Sequence, residues 1–219
     1  MEDNKMNRSE LSNKLNAYLA SDADFRAVYD YTRERFEAAA HLTAHNWEHA
    51  RRDTINGIVI GEAEGADMNI VLPALIMHDI GFLYGATGRT HGAVGADKLD
   101  DYLREGKIKL GDQKRTHIAD CIRTHKGSTH GENPQSLEAK VVSDADMLEK
   151  FGPVGMYQVI KTFTEFNAGF QKTVEALGNE ERRFITPTGQ RLGDSLKPFN
   201  QQFIKDLVDA YEPYREDKL

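Results

Sequence analysis

Residues 69–81 read NIVLPALIMHDIG, and this stretch decides the fold class. Its middle is apolar on nearly every side of a helix, which predicts a buried helix from Asn69 to Asp79. Pro73 is compatible only with the first turn of that helix, because proline lacks the amide hydrogen that later turns use. The stretch ends in the pair His78-Asp79, where an unpaired charge would be strongly unfavourable. A carboxylate in this place therefore needs a partner or a metal ion.

Helical spacing of apolar residues continues on both sides of this stretch, whereas the alternation typical of strands never lasts more than a few positions. The other predicted helices cover about residues 9–20, 21–42, 46–61, 90–104, 112–125, 136–150 and 199–211, with one more after Gly152-Pro153. The predicted helix-capping residues are Asp22, Thr90, Asp112 and Ser136. Residues 177–197 contain GNEERR, PTG and LGDS, which predicts a loop or lid that orders when a ligand binds. We therefore expect an all-α protein.

Composition excludes several classes of protein. The 219 residues are 39% apolar and 29% charged, which is typical of a folded chain and not of a disordered one. The net charge of −7 disfavours long nucleic acids and anionic membranes as partners, but a local cation still allows a small phosphate compound. Cys121 is the single cysteine, and no signal peptide or membrane span is evident. We expect a cytoplasmic protein, and a homodimer stays open.

Histidine and aspartate recur on three of the predicted helices. His49 lies on the helix before the central one, His78 and Asp79 end the central one, and Asp146 lies in the apolar frame of VVSDADML. Inward-facing ligands on neighbouring helices are a usual way to bind a divalent cation in a bundle. Mixed nitrogen and oxygen ligands suit Mn, Fe, Mg or Zn. For the His-Asp pair alone, mutual capping at a helix end is the alternative.

Three other catalytic motifs are missing from the sequence. HNWEH has Asn46 where the zinc-protease motif HExxH has its glutamate. Gly106-Lys107 is followed by Ile108 and is not preceded by a glycine-rich loop that could bind phosphate. No GxSxG turn occurs.

Four segments, in this order, resemble the HD-domain superfamily of metal-dependent phosphohydrolases: HNWEHARR, LPALIMHDIG, THGAVGADKLDDYL and AKVVSDADMLEKFGPVG. The later segment TPTGQRLGDSLKPFNQQFIKDLVDAYE resembles the last helix of uncharacterised hydrolases in the same group. The resemblance covers about residues 41–211. It implies one HD-type helical bundle over residues 1–219, with its core at about 41–160, N-terminal helices at 9–42 and a C-terminal helical extension at 161–219.

The resemblance also implies a set of metal ligands. For a first ion these are His49, His78, Asp79 and Asp146. Members with two ions add two histidines in the interval that here contains His91 and His125, so we expect one or two ions per chain. The alternatives are a solvated His91 at a helix start and a His125 that interacts with a helix dipole. The remaining histidines are expected at the surface or around the ligands: His41, His45, His117 and His130.

The chemistry follows from such a site. A divalent metal lowers the pKa of its bound water toward about 7, so that a metal-bound hydroxide can attack phosphorus at neutral pH. Phosphate oxygens also need cationic donors, for which we predict Arg52, Lys126 and Lys150, with Arg89 similarly placed. Each of these could equally be a solvated surface charge. The segment HDIGFLY lacks the acidic residue that some members carry after the His-Asp pair, so the base is not identified.

The sequence therefore predicts a metal-dependent phosphohydrolase that acts on a nucleotide or a related small phosphate compound. A monoester, a diester and a pyrophosphate bond all remain open as targets. One rival is a di-iron oxygenase of the HD fold, and another is a regulatory module that binds the metal without turnover. Oxygen uptake with iron would favour the oxygenase, and release of phosphate or pyrophosphate with manganese would favour the hydrolase.

Overall fold

The computed structural model describes residues 8–126, 132–178 and 183–214, and within these ranges the chain is helical and forms no strand. The α-helices are α1 (Arg8–Ser21), α2 (Ala23–Ala38), α3 (Trp47–Glu64), α4 (Met68–Met77), α5 (His91–Glu105), α6 (Asp112–Thr124), α7 (Leu137–Leu148), α8 (Gly152–Glu165), α9 (Phe170–Leu177) and α10 (Pro187–Tyr211). Two short 3-10 helices span Ile80–Tyr84 and Glu212–Tyr214. The predicted all-α class is confirmed.

α4 is the central helix of the bundle. Every side chain from Ile70 to Met77 is buried, and α4 packs against α2, α3, α6 and α7. Burial of each large aliphatic side chain contributes about 1.5–3 kcal/mol relative to exposure. The sequence predicted Pro73 in the first turn of this helix, and this was wrong. Pro73 lies in the second turn, because the helix begins at Met68 behind an Asp67 cap. Apolar packing on all sides therefore holds a helix that contains an interior proline.

Side-chain caps explain where several helices begin. Asp22 and Ser136 accept hydrogen bonds from the backbone N–H three residues later, as predicted. Thr90 precedes α5 but its side chain does not cap it, and Gly111 takes the position before α6 that was predicted for Asp112. Helix starts are thus set locally in some cases and by tertiary packing in others.

Two glycines let α5 approach the neighbouring backbone very closely. A Cβ atom on Gly81 would lie 2.1 Å from the carbonyl oxygen of His91, and one on Gly92 would lie 3.0 Å from that of Arg123. The start of α5 therefore rests on the Ile80–Tyr84 helix and on the end of α6. This contact fixes the place at which His91 enters the interior.

Gly81→Ala is expected to lower the free energy of unfolding by roughly 2–3 kcal/mol, because the added methyl group forces two backbone segments apart. Urea denaturation measures the change. Gly111→Ala is the control, since a Cβ atom there meets nothing within 4 Å. A Gly81→Ala protein as stable as the wild type would contradict this account of α5.

The C-terminal part differs from the prediction of a loop over 177–197. α10 begins at Pro187, so residues 187–197 are helical, while residues 179–182 lie outside the described ranges. The Asp144 carboxylate accepts hydrogen bonds from the N–H of Ile185 at 2.8 Å and from the N–H and hydroxyl of Thr186 at 2.7 and 2.6 Å. Thr186 in turn caps α10, with proline at the first helical position. The hydrogen bonds to Asp144 on α7 therefore fix the start of α10, so that a segment rich in glycine is helical.

Among the described helices, none combines the length and the apolar character that crossing a membrane requires.

Candidate metal centre

Seven ionisable side chains meet at one point inside the bundle. Each lies on a helix or directly beside a helix end, and none is more than 3% exposed. The helices are α3, α4, the Ile80–Tyr84 helix, α5, α6 and α7. The seven residues are His49, Asp53, His78, Asp79, His91, His125 and Asp146. The structure therefore brings together all six residues that the sequence suggested as metal ligands, and adds Asp53.

The first group surrounds His49 and His78. His49 Nε2 lies 3.2 Å from Asp79 Oδ2, 3.4 Å from Asp53 Oδ2 and 3.9 Å from Asp146 Oδ1. His78 Nε2 lies 3.3 Å from Asp79 Oδ2 and 3.3 Å from His49 Nε2. Two nitrogens and three carboxylates thus face one small volume.

The second group lies on the other side of Asp79. Asp79 Oδ1 is 3.2 Å from His91 Nε2 and 3.9 Å from His125 Nε2, and the two ring nitrogens are 3.0 Å apart. Asp79 consequently turns one carboxylate oxygen toward each group. This is the arrangement that a carboxylate shared by two cations needs.

The outer ring nitrogen of each of the four histidines in these two groups has its own acceptor. Nδ1 of His78, His91 and His125 donates to a backbone carbonyl three or four residues earlier, at 2.6, 3.3 and 2.6 Å. His49 Nδ1 donates to Glu149 Oε2 at 2.7 Å. Since these oxygens only accept, the proton of each neutral ring is on Nδ1, and Nε2 is left as an acceptor that points inward.

The donor set fits divalent cations. Both carboxylate oxygens of Asp53 and of Asp79 are buried without a hydrogen-bond donor among the described residues. Facing acceptor nitrogens and orphaned carboxylates repel each other unless positive charge lies between them. Ligand atoms of His49, Asp53, His78 and Asp146 lie within 4.8 Å of one another. Nitrogen and oxygen donors of this kind bind Mn, Fe, Mg or Zn.

The electrostatics of the two groups differ. Burial lowers the pKa of His91 to about 3 and lowers the pKa of His125 well below its usual value, so both rings are neutral and ready to bind a metal. Burial alone would also lower the pKa of His49, but Asp53 and the other facing carboxylates raise it well above normal. A proton on His49 therefore competes with a cation in the first group.

The predicted phosphate-binding cations lie close to the first group. Lys126 Nζ and Lys150 Nζ are 3.3 and 3.0 Å from Asp146 Oδ2. Arg52 instead forms an ion pair with Glu149 and donates to Gln158 Oε1 at 2.9 Å. Both lysines thus lie against Asp146, whereas Arg52 is turned toward Glu149 and Gln158.

The remaining histidines lie around the site or away from it. His45 is buried, and its Nδ1 is 2.5 Å from a carboxylate oxygen of Glu165. His117 is half-buried and pairs with Ser136, and His41 is exposed. His130 lies outside the described residues, and Arg89 is exposed in the segment before α5.

A narrow cavity of about 80 Å³ opens beside the first group. Its walls are formed by His45, His49, Lys126, Asp146, Glu149, Lys150, Gln158, Val159, Thr162 and Phe163. Pockets that enclose a whole small molecule are usually about 300–1,000 Å³. The described cavity therefore has room for a phosphate-sized group, and the rest of a larger ligand would lie outside it.

Asp53 and Glu149 are site residues that the sequence reasoning missed. Asp53 follows His49 by four positions, and Glu149 follows Asp146 by three, so each shares a helix face with a proposed ligand. This spacing was the available signal. Both residues were missed because charged residues in HARRD and in LEK are typical of solvated helix surfaces.

Glu149→Ala is expected to weaken binding of the first cation by about 10- to 100-fold, because His49 loses the group that holds its ring and its Nδ1 proton. Isothermal titration of the metal-free protein with Mn²⁺ measures this. Glu149→Gln keeps an acceptor and should lose less. Equal Mn²⁺ affinity in the wild type and Glu149→Ala would show that Glu149 does not support the ligand.

The chain is similar to a known domain family and to a bacterial relative. The family model of the HD domain matches residues 46–150. The uncharacterised protein YpgQ of Bacillus subtilis is 25% identical over 173 residues, which cover 75% of this chain and 83% of YpgQ.

Several solved structures share the architecture. A predicted HD superfamily hydrolase from an uncultured Thermotogales bacterium has 24% identity and a TM-score of 0.60, over 85% of this chain and 92% of its own. A protein of Lactobacillus plantarum has 18% identity and a TM-score of 0.70, over 88% and 99%. B. subtilis YpgQ in complex with ADP has 21% identity and a TM-score of 0.60, over 86% and 95%. At these identities the likeness shows a common fold.

Proposed function

Because residues 46–150 of this chain form an HD domain, we propose that the protein is a metal-dependent phosphohydrolase. One observation carries the proposal: four buried histidines direct acceptor nitrogens at carboxylates that have no hydrogen-bond donor. Bound divalent cations would supply an activated water and would neutralise phosphate charge. His49, His78 and Asp146 would hold one cation, His91 and His125 a second, and Asp79 both.

We further propose a small phosphate compound, preferably a nucleotide, as the substrate. The complex of B. subtilis YpgQ with ADP supports this choice, as does a cavity that fits a phosphate-sized group. Lys126 and Lys150 would donate to the phosphate oxygens and orient the group beside Asp146. These two cations favour a phosphate substrate over the oxygenase and over a module that only binds metal.

The test is a screen of the purified protein, loaded in turn with Mn, Fe, Mg and Zn, against nucleoside mono-, di- and triphosphates. Products are identified by mass spectrometry, and oxygen consumption is recorded in parallel. We expect release of phosphate or pyrophosphate. Oxygen uptake by the iron form without any phosphate release would overturn the proposal.

Stacked aromatic rings lead from the second group to the surface. The ring centroids of His91 and Phe82 are 4.5 Å apart, those of Phe82 and His45 4.3 Å, and those of His45 and Phe166 5.4 Å. Phe166 ends this series and is 45% exposed. A nucleobase that lies outside the small cavity would find a flat aromatic surface there.

Phe166→Ala is therefore expected to raise KM for a nucleotide substrate roughly ten-fold, since loss of one base–aromatic stack costs about 1–3 kcal/mol. KM for inorganic tripolyphosphate, which has no base, should stay unchanged. Phe170→Ala is the control, because Phe170 is similarly exposed but contacts Tyr211. An equal rise for both substrates would contradict a role in base stacking.

A further inference from the structure

Asp53 is a fully buried carboxylate with no donor. Its side chain is 0% exposed, and neither oxygen accepts a hydrogen bond within the part of the chain that the structure describes. No lysine or arginine of that part forms an ion pair with it. A buried charge in such a position is strongly unfavourable unless a bound cation or a proton on a facing histidine compensates it.

The surroundings of Asp53 place that cation. Asp53 Oδ2 lies 3.4 Å from His49 Nε2 and 3.5 Å from His78 Nε2. Nδ1 of His49 faces Glu149 and Nδ1 of His78 faces the carbonyl of Leu75, so Nε2 is the atom of each ring that faces Asp53. One carboxylate oxygen and two ring nitrogens thus surround one point.

The nearby side-chain cations are held by other carboxylates. Arg52 pairs with Glu149, and Lys126 and Lys150 both lie against Asp146. Asp53 itself is one helical turn beyond His49, so the two side chains leave the same face of α3. Asp53 thus makes no hydrogen bond that would hold helices together among the described residues. Its ion-pair contacts are with His49 and His78 of the first group.

We propose that Asp53 is a direct ligand of the first cation, as a third carboxylate beside Asp79 and Asp146. The inference rests on the metal-dependent function proposed above. With Asp53 the first group offers two nitrogens and three carboxylates. This set suits an oxygen-preferring cation such as Mn²⁺ better than it suits Zn²⁺, whose sites are typically rich in nitrogen and sulfur.

The experiment measures Mn²⁺ binding to the full chain after removal of metal, by titration calorimetry and by the electron paramagnetic resonance signal of free Mn²⁺. Asp53→Asn should lower the affinity of one ion at least about 100-fold, since loss of an outer partner alone costs 10- to 100-fold. The second ion should stay bound. The melting temperature of the metal-free protein should not fall, because the substitution removes a buried charge that accepts no hydrogen bond.

Asp144→Asn is the matched control. Asp144 is also a buried aspartate, but Ile185 and Thr186 donate to it, so this variant should melt at a lower temperature and keep wild-type Mn²⁺ affinity. Asp53→Val repeats the measurement with an apolar side chain of similar size.

Two outcomes would overturn the proposal. One is wild-type Mn²⁺ affinity in both Asp53 variants. The other is metal-free Asp53 variants that fail to fold or melt several degrees lower, as expected for Asp144→Asn, which would assign Asp53 to the framework. Because no substrate is used, a protein that binds Mn²⁺ through Asp53 and yet hydrolyses no phosphate would refute only the proposed function.

Discussion

Asp79→Ala is expected to abolish hydrolysis and to remove bound metal while leaving the helical fold largely intact. One oxygen of Asp79 faces His49 and His78, and the other faces His91, so both groups lose a ligand in one substitution. The fold should survive because α4 is held by apolar packing, and because repulsion among carboxylates is relieved. Elemental analysis and far-UV circular dichroism measure the two effects.

Asp67→Ala is the control for this variant. Asp67 caps α4, the helix that precedes Asp79, so the substitution should cost about 1 kcal/mol of stability and no metal. Wild-type metal content in Asp79→Ala would remove Asp79 from the site.

His125→Ala is expected to lower the metal content by about one ion per chain and to cut turnover severely, with the first ion retained. His125 and His91 direct their Nε2 atoms at the same oxygen of Asp79, and burial keeps both rings neutral, so each is ready to bind a cation. His91→Ala should behave in the same way. The measurement is the ratio of metal to protein after loading with Mn or Fe.

His117→Ala is the matched control, because His117 lies on the same helix and faces Ser136 and Glu138. A ratio of one ion per chain in both the wild type and His125→Ala would show a mononuclear site. The histidines of the second group would then contact substrate and not metal.

The sequence was sufficient for the parts of the molecule that follow local rules. The apolar run of α4 and the helical spacing around it predicted an all-α bundle, and the resemblance to the HD superfamily is confirmed by the match over residues 46–150. The order of the histidines and aspartates also placed six side chains that the structure brings together. Their roles as ligands stay predictions until metal is measured.

The sequence was insufficient for features that depend on contacts between segments far apart in the chain. Glu149 meets His49 across 100 residues, and this contact arises only when α3 and α7 pack together. The glycines of 187–197 suggested a loop, but Asp144 on α7 supplies the acceptors that allow a helix to begin at Pro187. In the second case tertiary contacts override the local helix propensity.

Asp144 and Asp146 are two positions apart on α7, and they connect the C-terminal helix α10 with the metal centre. Asp144 accepts the hydrogen bonds that dock the start of α10, while Asp146 faces His49 from the metal centre. A chain cut before Ile185 would leave Asp144 as a buried carboxylate without its donors, two residues from a proposed ligand. The C-terminal helix supplies no ligand, so its docking stabilises α7 and leaves the ligand set of the metal centre unchanged.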